Sequence, residues 1–333
     1  MNSSYCFRFL LACALALGLI GSAAPTPAAA QVKSTFIVGN SGDLPDTLPG
    51  DGTCNTAGGA CTLRAAIMEA NALVAGAPHT ITFAPAPSYL IQPNSDLPAL
   101  TRDYTIIDAG SQIVRIHKPV GGTASRGLQI DALHCEIRGL TVDAFKDNII
   151  VNGNLNSLDG NYITNAQISG IVLNGGGNIL TGNSVGIDLT GSAAGNKYGV
   201  VVNYRDNRIG TNGDGVNDGD ERNLISANSA VGIVVSEIGG STLSAGNWIG
   251  LNPAGNAALG NVNGGILIAD AGKGSASKVL IGTDDSDDLF NANEANVISG
   301  NGTTLGTDYG ISIEGGSDHT ISGNIIGLNP AGT

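Results

Sequence analysis

Apolar positions along this chain alternate far more often than they cycle at helical spacing. Only one stretch, TLRAAIMEANALV (62–74), places Leu63, Ile67, Ala70 and Val74 on a single helical face. Thr62 can cap its N-terminus, and Gly76 and Pro78 end it, which predicts a helix over 62–74. Arg64, Glu69 and Asn71 fall off the apolar stripe. The rest of the first half reads as short β-branched runs: STFIVGN (34–40), HTITFA (79–84), SYLIQ (88–92), DYTIIDA (103–109), IVRI (113–116), LQID (128–131) and CEIRGLTV (135–142). Gly, Pro, Asp and Asn separate them, as expected between strands.

Beyond about residue 160 the alternation becomes a repeat. SGIVL, YGVVV, VGIVV, GGILI and YGISI begin at 169, 198, 231, 264 and 309, the first four being 29, 33 and 33 residues apart. Two kinds of connection alternate between them. One carries GNSVGIDLTG (182–191), GNWIGLNPAG (246–255) or GNIIGLNPAG (323–332); the other carries RIGT or LIGT, an acidic loop, and NLISAN or NVISGN. Fixed-period similarity of this kind marks a repeat architecture. The third copy stops at Thr333, where the second runs on into Asn256, so a truncated array is expected.

Parallel strands stacked coil on coil account for the pattern. Each apolar residue then lies over its counterpart one coil away, Gly and Asn serve the corners, and stacked Asn side chains can bond between coils. The prediction is an all-β, right-handed parallel β-helix (solenoid) with an N-terminal capping helix. In such a core Ile266 and Ile311, which follow Gly in equivalent rungs, point inward. Trp248 is replaced by Ile325 in the next copy of its rung, which assigns it to core packing rather than to a sugar platform.

Composition narrows the setting. Fifty glycines with only 12 prolines, in a chain with 4% aromatic residues, fit a repeated aliphatic core and exclude a collagen-like reading. Arg8 followed by FLLACALALGLIG (9–21) and Ala28-Ala29-Ala30 reads as a signal peptide over 1–30, with cleavage near Ala24 as the second option. LLAC (10–13) mimics a lipoprotein box but lies too early. No later segment suits a transmembrane span. The net charge of −13 becomes −14 once Arg8 leaves, which argues against nucleic acid and anionic lipid as partners. Export permits disulfides. Cys54 and Cys61 flank the pliable hexapeptide NTAGGA and are expected to bridge, leaving Cys135 a buried free thiol.

CTLRAAIMEAN (61–71) resembles the CSLREA domain, whose pattern is C-[ST]-L-R-[EA]-A-I-x-E-A-N; Ala65 stands where that name has Glu. The downstream N-x-I-G and N-x-I-S-[GA]-N units resemble right-handed parallel β-helix repeats of bacterial secreted and surface proteins. The resemblance implies a CSLREA-type N-terminal cap with the first strands over 31–103, its helix over the mouth of the solenoid, and β-helix repeats over 104–333. It also implies a secreted or cell-surface location. Most members of that family have no assigned activity.

Candidate chemistry is sparse. The signatures of β-helix lyases and polygalacturonases (Asn-Thr-Asp, Gly-His-Gly, Arg-Ile-Lys, Asp-Pro-His) are missing from the chain. His79, His117, His134 and His319 show no repeat phase and no metal-ligand spacing, and His134 and Cys135, as strand neighbours, would face opposite ways. Asp108, Arg115, Asp131 and Arg138 read as an outer, solvated face. The acidic loops are richer. TNGDGVNDGDERN (211–223) holds Asn212, Asp214 and Asp218 in a spacing close to the calcium pattern of thrombospondin type-3 repeats; TDDSDDLFNANEAN (283–296) holds Asp284, Ser286 and Asp288 at alternate positions. Oxygen-rich alternation suits calcium, while a solvated turn uses the same residues. No other cofactor is implied.

Two functions remain open at this level. The leading one is a non-enzymatic exported scaffold in adhesion or glycan contact, with an extracellular glycan or a host or cell-surface ligand as partner, because the repetition is regular and no singular polar cluster interrupts it. The alternative is a polysaccharide lyase, hydrolase or epimerase of the pectate lyase-like β-helix type.

Overall fold

The computed structural model describes residues 34–73, 77–236, 238–269, 277–283, 291–302 and 308–333. All belong to the unit Val32–Thr333. The expected leader at 1–30 lies outside the described residues. Among the described residues, three sheets of ten, nine and seven strands run along the chain, and every pairing between these strands is parallel. One coil shows the plan: Ser157–Asp159 contributes to the first sheet, Tyr162–Thr164 to the second and Ser169–Leu173 to the third. Ile179–Thr181 then returns beside Ser157–Asp159. This is the parallel β-helix that the repeats predict.

Register explains why the sequence repeats. Ile171, Val200, Ile233 and Ile266 are Cα partners on successive coils and are all buried. Ile163, Val185, Ile225, Ile249 and Ile298 form a second buried column. Ile266 is thus inward as expected; Ile311, on the last coil, packs against the core but is only partly buried. The glycine before each rung has a steric cause. A Cβ at Gly170, Gly199, Gly232 or Gly265 would lie 2.6, 2.5, 2.7 or 2.5 Å from the carbonyl oxygen of the next coil. Real side chains do not tolerate such an approach to fixed backbone, so the column must be glycine for the coils to stack.

The recurrent Asn is equally structural. Asn161, Asn183, Asn223, Asn247, Asn296 and Asn324 form a ladder in which each side-chain Nδ2 donates to the next Oδ1 at 2.9–3.0 Å. Asn161 Nδ2 also reaches the Ile137 carbonyl at 2.9 Å, so this buried amide is satisfied. A parallel ladder joins Asn196, Asn228, Asn261 and Asn301. In the echoed decapeptide, therefore, Asn247 bonds between coils, Ile249 fills the core, and Asn252 Oδ1 closes the following loop by accepting from Asn256 N and Ala257 N.

At the N-terminal end, α1 (Leu63–Ala72) starts at Thr62, whose Oγ1 accepts from Ala65 N at 3.1 Å. Leu63, Ala66, Ile67 and Ala70 join the core; Val74 of the expected stripe lies outside the described residues. The off-stripe residues clamp the helix to neighbouring loops. Glu69 is fully buried and accepts from Gly50 N and Gly52 N, each at 2.5 Å. Arg64 pairs with Asp43 and donates to the Ser95 and Asp96 carbonyls, and Asn71 bridges Ala99 and Thr101. Cys54 and Cys61 form the expected disulfide, with Sγ–Sγ 2.01 Å, and Cys135 is free and buried. The run 135–142, read as one strand, is two: Glu136–Arg138 and Leu140–Asp143 meet at Gly139, whose φ of 67° turns the corner between sheets. The first sheet runs without a break across Asp103, because His79–Phe83 pairs directly with Thr105–Asp108.

Candidate functional site

The most developed polar cluster lies on the outside of the second sheet. His117, Asp143 and Thr164 are Cα partners on three successive coils. Asp143 has no exposed surface, yet it is an outward residue between inward Leu140 and Val142 and the corner that follows. Its burial comes from its partners. Arg115 donates Nε to Oδ2 at 3.1 Å and brings Nη2 onto the same oxygen. His117 Nδ1 lies 2.6 Å from Oδ2, and Thr164 Oγ1 and Asn165 Nδ2 donate to Oδ1 at 3.0 and 2.8 Å. Burial alone would raise the Asp143 carboxyl. Hydrogen bonds from Asn165, Arg115 and His117, together with the guanidinium charge, outweigh that effect and hold it below the usual carboxylate range.

A loop closes one side of this cluster. The chain leaves the second sheet at Gly186 and forms an antiparallel bridge between Ile187 and Ala193. Asp188 Oδ1 accepts from Thr190 N, Thr190 Oγ1 and Ser192 N, which fixes the tip. The Thr190 bonds, that from Ser192 and the nearby Arg115 charge keep Asp188 ionised below its ordinary value. Between loop and sheet lies a cleft of about 240 Å³ lined by Arg115, Thr141, Asn165, Asp188, Leu189 and Thr190, among others. Leu189 is 53% exposed. Arg115 Nη1, Asn165 Oδ1 and Asp188 Oδ2 have no hydrogen-bond partner among the described residues.

The other residues singled out from the sequence do not converge. Asp108 and Arg138 are neighbours on the first sheet, where Arg138 pairs with Glu136; Arg115 is on the second, and Asp131 follows the third. Only Arg115 takes part in the cluster. His134 adopts a left-handed backbone and stacks on Tyr104 at 4.8 Å, while burial pushes the Cys135 thiol up to about 11, so the two form no reactive pair. His79 is an inward residue with no exposed surface and, among the described residues, no hydrogen-bond partner on either ring nitrogen. Its desolvation, with the Arg102 charge, lowers its pKa.

Trp248 is not a core residue. Its neighbour Ile249 points inward, and Trp248 lies half-buried on the outer face with the Arg222 guanidinium 4.5 Å above its ring. The Gly255 backbone presses on the ring edge, where a Cβ would come within 2.7 Å of Cη2. Trp248, Val297 and Ile325 are Cα partners on successive coils, so this outer position is apolar in each of them, which gives the exchange the pattern of core packing.

In the first acidic loop the candidate calcium ligands serve the loop itself. Asp218 accepts from Thr211 Oγ1 at 2.8 Å, Gly215 N at 3.1 Å and Asn293 Nδ2 at 2.7 Å. Asp214 accepts from Asn212 Nδ2 and Val216 N, and Asn212 Oδ1 from Asp214 N. The Asn293 bond staples α2 (Asp218–Glu221) to α3 (Asn291–Glu294), joining the two equivalent loops. Asp284, Ser286 and Asp288 lie outside the described residues. Among those described, no group of three His, Cys, Asp or Glu side chains converges as a metal site would require. A second, more open cleft of about 380 Å³ is lined by Asp159, Thr181, Asn217, Asp220 and Glu221.

The comparisons with known proteins are few. No family model matches the chain, and no curated protein matches it. Among solved structures it is similar to the pectate lyase Pel9A, with a TM-score of 0.47 and 14% identity over 88% of this chain and 78% of that one. A likeness at this level concerns the fold and carries no residue role across. No described helix is long and apolar enough to cross a membrane.

Proposed function

We propose that this chain is an exported β-helix scaffold, with a CSLREA-type N-terminal cap, that contacts a glycan at the cell surface or outside the cell without chemically changing it. The observation that carries this reading is the state of Asp143. A general base must reach the proton it removes. Asp143 is wholly buried, and its two oxygens already receive Arg115, His117, Thr164 and Asn165. It holds coils together and spends the nearest charges doing so. What remains open to a ligand is a set of hydrogen-bonding groups and one exposed Leu, which suits binding.

The second reading, a polysaccharide lyase, hydrolase or epimerase, is favoured by one feature only: Arg, His and Asp meet beside a cleft. The test is retention on a panel of immobilised neutral and uronate glycans, with the eluted glycan sized before and after. Retention with unchanged chain length supports the scaffold. Shortened or unsaturated product that disappears in Arg115→Gln supports the enzyme.

A further inference from the structure

We infer that the cleft beneath the 188–192 loop is a subsite for one neutral sugar residue of that glycan, and that it selects against uronates. The inference rests on the glycan-contact reading and names what that site takes.

Size comes first. Pockets for drug-sized ligands run to about 300–1,000 Å³; at about 240 Å³ this cleft has room for one ring and not for a chain buried along its length. The open groups come second. Arg115 Nη1 offers a donor, while Asn165 Oδ1 and Asp188 Oδ2 offer acceptors, all three at the rim of one cleft. A sugar hydroxyl both donates and accepts, so vicinal hydroxyls can pair with such a mixed set, whereas a purely anionic or purely cationic group cannot. Leu189, more than half exposed, gives the C–H face of a ring something apolar to cover.

Charge decides between neutral and acidic sugars. The Arg115 guanidinium is neutralised by Asp143, which lies against it. Asp188 then leaves the cleft with an unbalanced negative charge, on a chain whose net charge is −13. A carboxylate-bearing sugar entering there meets repulsion on both scales. The groups that hold the free side chains are fixed: Asn165 by its bond to Asp143 and by its own backbone N–H to the Ala194 carbonyl, and Asp188 by its three donors. The subsite is formed before any ligand arrives, which keeps the ordering cost low.

The experiment is saturation-transfer NMR of the leader-free protein with glucose, galactose, mannose, N-acetylglucosamine and galacturonate. The expected result is transfer to at least one neutral sugar, weaker transfer to galacturonate, and affinity lowered about tenfold in Leu189→Asp and in Asn165→Gly. Leu189 is exposed, so Leu189→Asp should keep the parent melting temperature; Asn165 has a φ of 54°, which Gly accepts, but Asn165→Gly also removes a donor from buried Asp143 and should melt lower, so its affinity is read well below its own melting temperature. Three results overturn the inference. Neutral sugars that bind equally well to both variants place the glycan elsewhere on the scaffold. Galacturonate that binds best, and is lost in Arg115→Gln, reverses the charge argument. Absence of transfer to every monosaccharide removes the subsite, and only a glycan panel that also fails to be retained removes the glycan reading with it.

Discussion

His117 and Asp143 occupy the same position on consecutive coils, and the His117 Nδ1 lies 2.6 Å from Asp143 Oδ2. With a carboxylate as acceptor, Nδ1 carries the proton and the ring acts as a brace between coils. The pair belongs to a five-residue set centred on one buried carboxylate, so its energetics are those of a buried ion site. Removing Asp143 strands its donors. Arg115 is half exposed and can return to water, which places Asp143→Ala near the lower end of the range for a broken buried pair, roughly 3 kcal/mol. Urea denaturation at pH 7 measures it. Because the folded-state pKa is lowered, this stabilisation is present above the ordinary carboxylate pKa and fades as pH falls through the lowered value. A variant within about 0.5 kcal/mol of the parent would mean that the cluster is a solvated surface pair.

The glycine column makes a paired prediction. Gly232→Ala puts a Cβ 2.7 Å from the Gly265 carbonyl and 2.8 Å from Asn261 Nδ2. The coils must part or shift, at a cost of about 1–3 kcal/mol typical of overpacking. Gly219→Ala, inside α2, meets nothing within 4 Å and should be neutral, or more stable by up to about 1 kcal/mol from helix propensity. Melting curves of the two variants should move in opposite directions or differ sharply. Equal tolerance of both would put the repeat out of register.

His79 sets a pH response. Its pKa is lowered in the folded state by burial, so the unfolded chain takes up a proton first as pH falls below about 6.5. Stability therefore drops on acidification, by at most about 1.4 kcal/mol per pH unit from this residue, until the lowered folded pKa is reached. His79→Leu removes that slope and also the two unpaired buried nitrogens. Chemical denaturation at pH 7 and pH 5 should show a smaller difference in the variant than in the parent. An unchanged difference would assign the acid sensitivity to other groups.

What the sequence disclosed, and what it hid, follows the repeat. Asn247 recurs at fixed phase, so its ladder role could be read from spacing alone; Gly232 recurs as visibly, but spacing suggested a corner, and only the coil register shows that the carbonyl of Gly265 leaves no room for a Cβ. Thr62, Leu63 and Ile67 declared a helix by local pattern, and Cys54 and Cys61 a bridge by their pliable link. Asp143 declared nothing. It stands once, in TVDAFKD, and its donors lie 26 and 28 residues earlier and 21 and 22 later. Only the coil register brings them together. Glu69 was hidden for a related reason: a charged residue off the apolar stripe signals solvent, unless backbone from a separate loop, here Gly50 and Gly52, comes to cover it.

The central claim, contact without catalysis, is tested most directly by prolonged incubation of the protein with every glycan it retains, followed by product sizing and absorbance for unsaturated ends. The account predicts unchanged chain length in the parent and in Asp143→Asn alike. Turnover by the parent that is lost in Asp143→Asn, with retention and melting temperature preserved, would contradict it and make the buried carboxylate part of an active site.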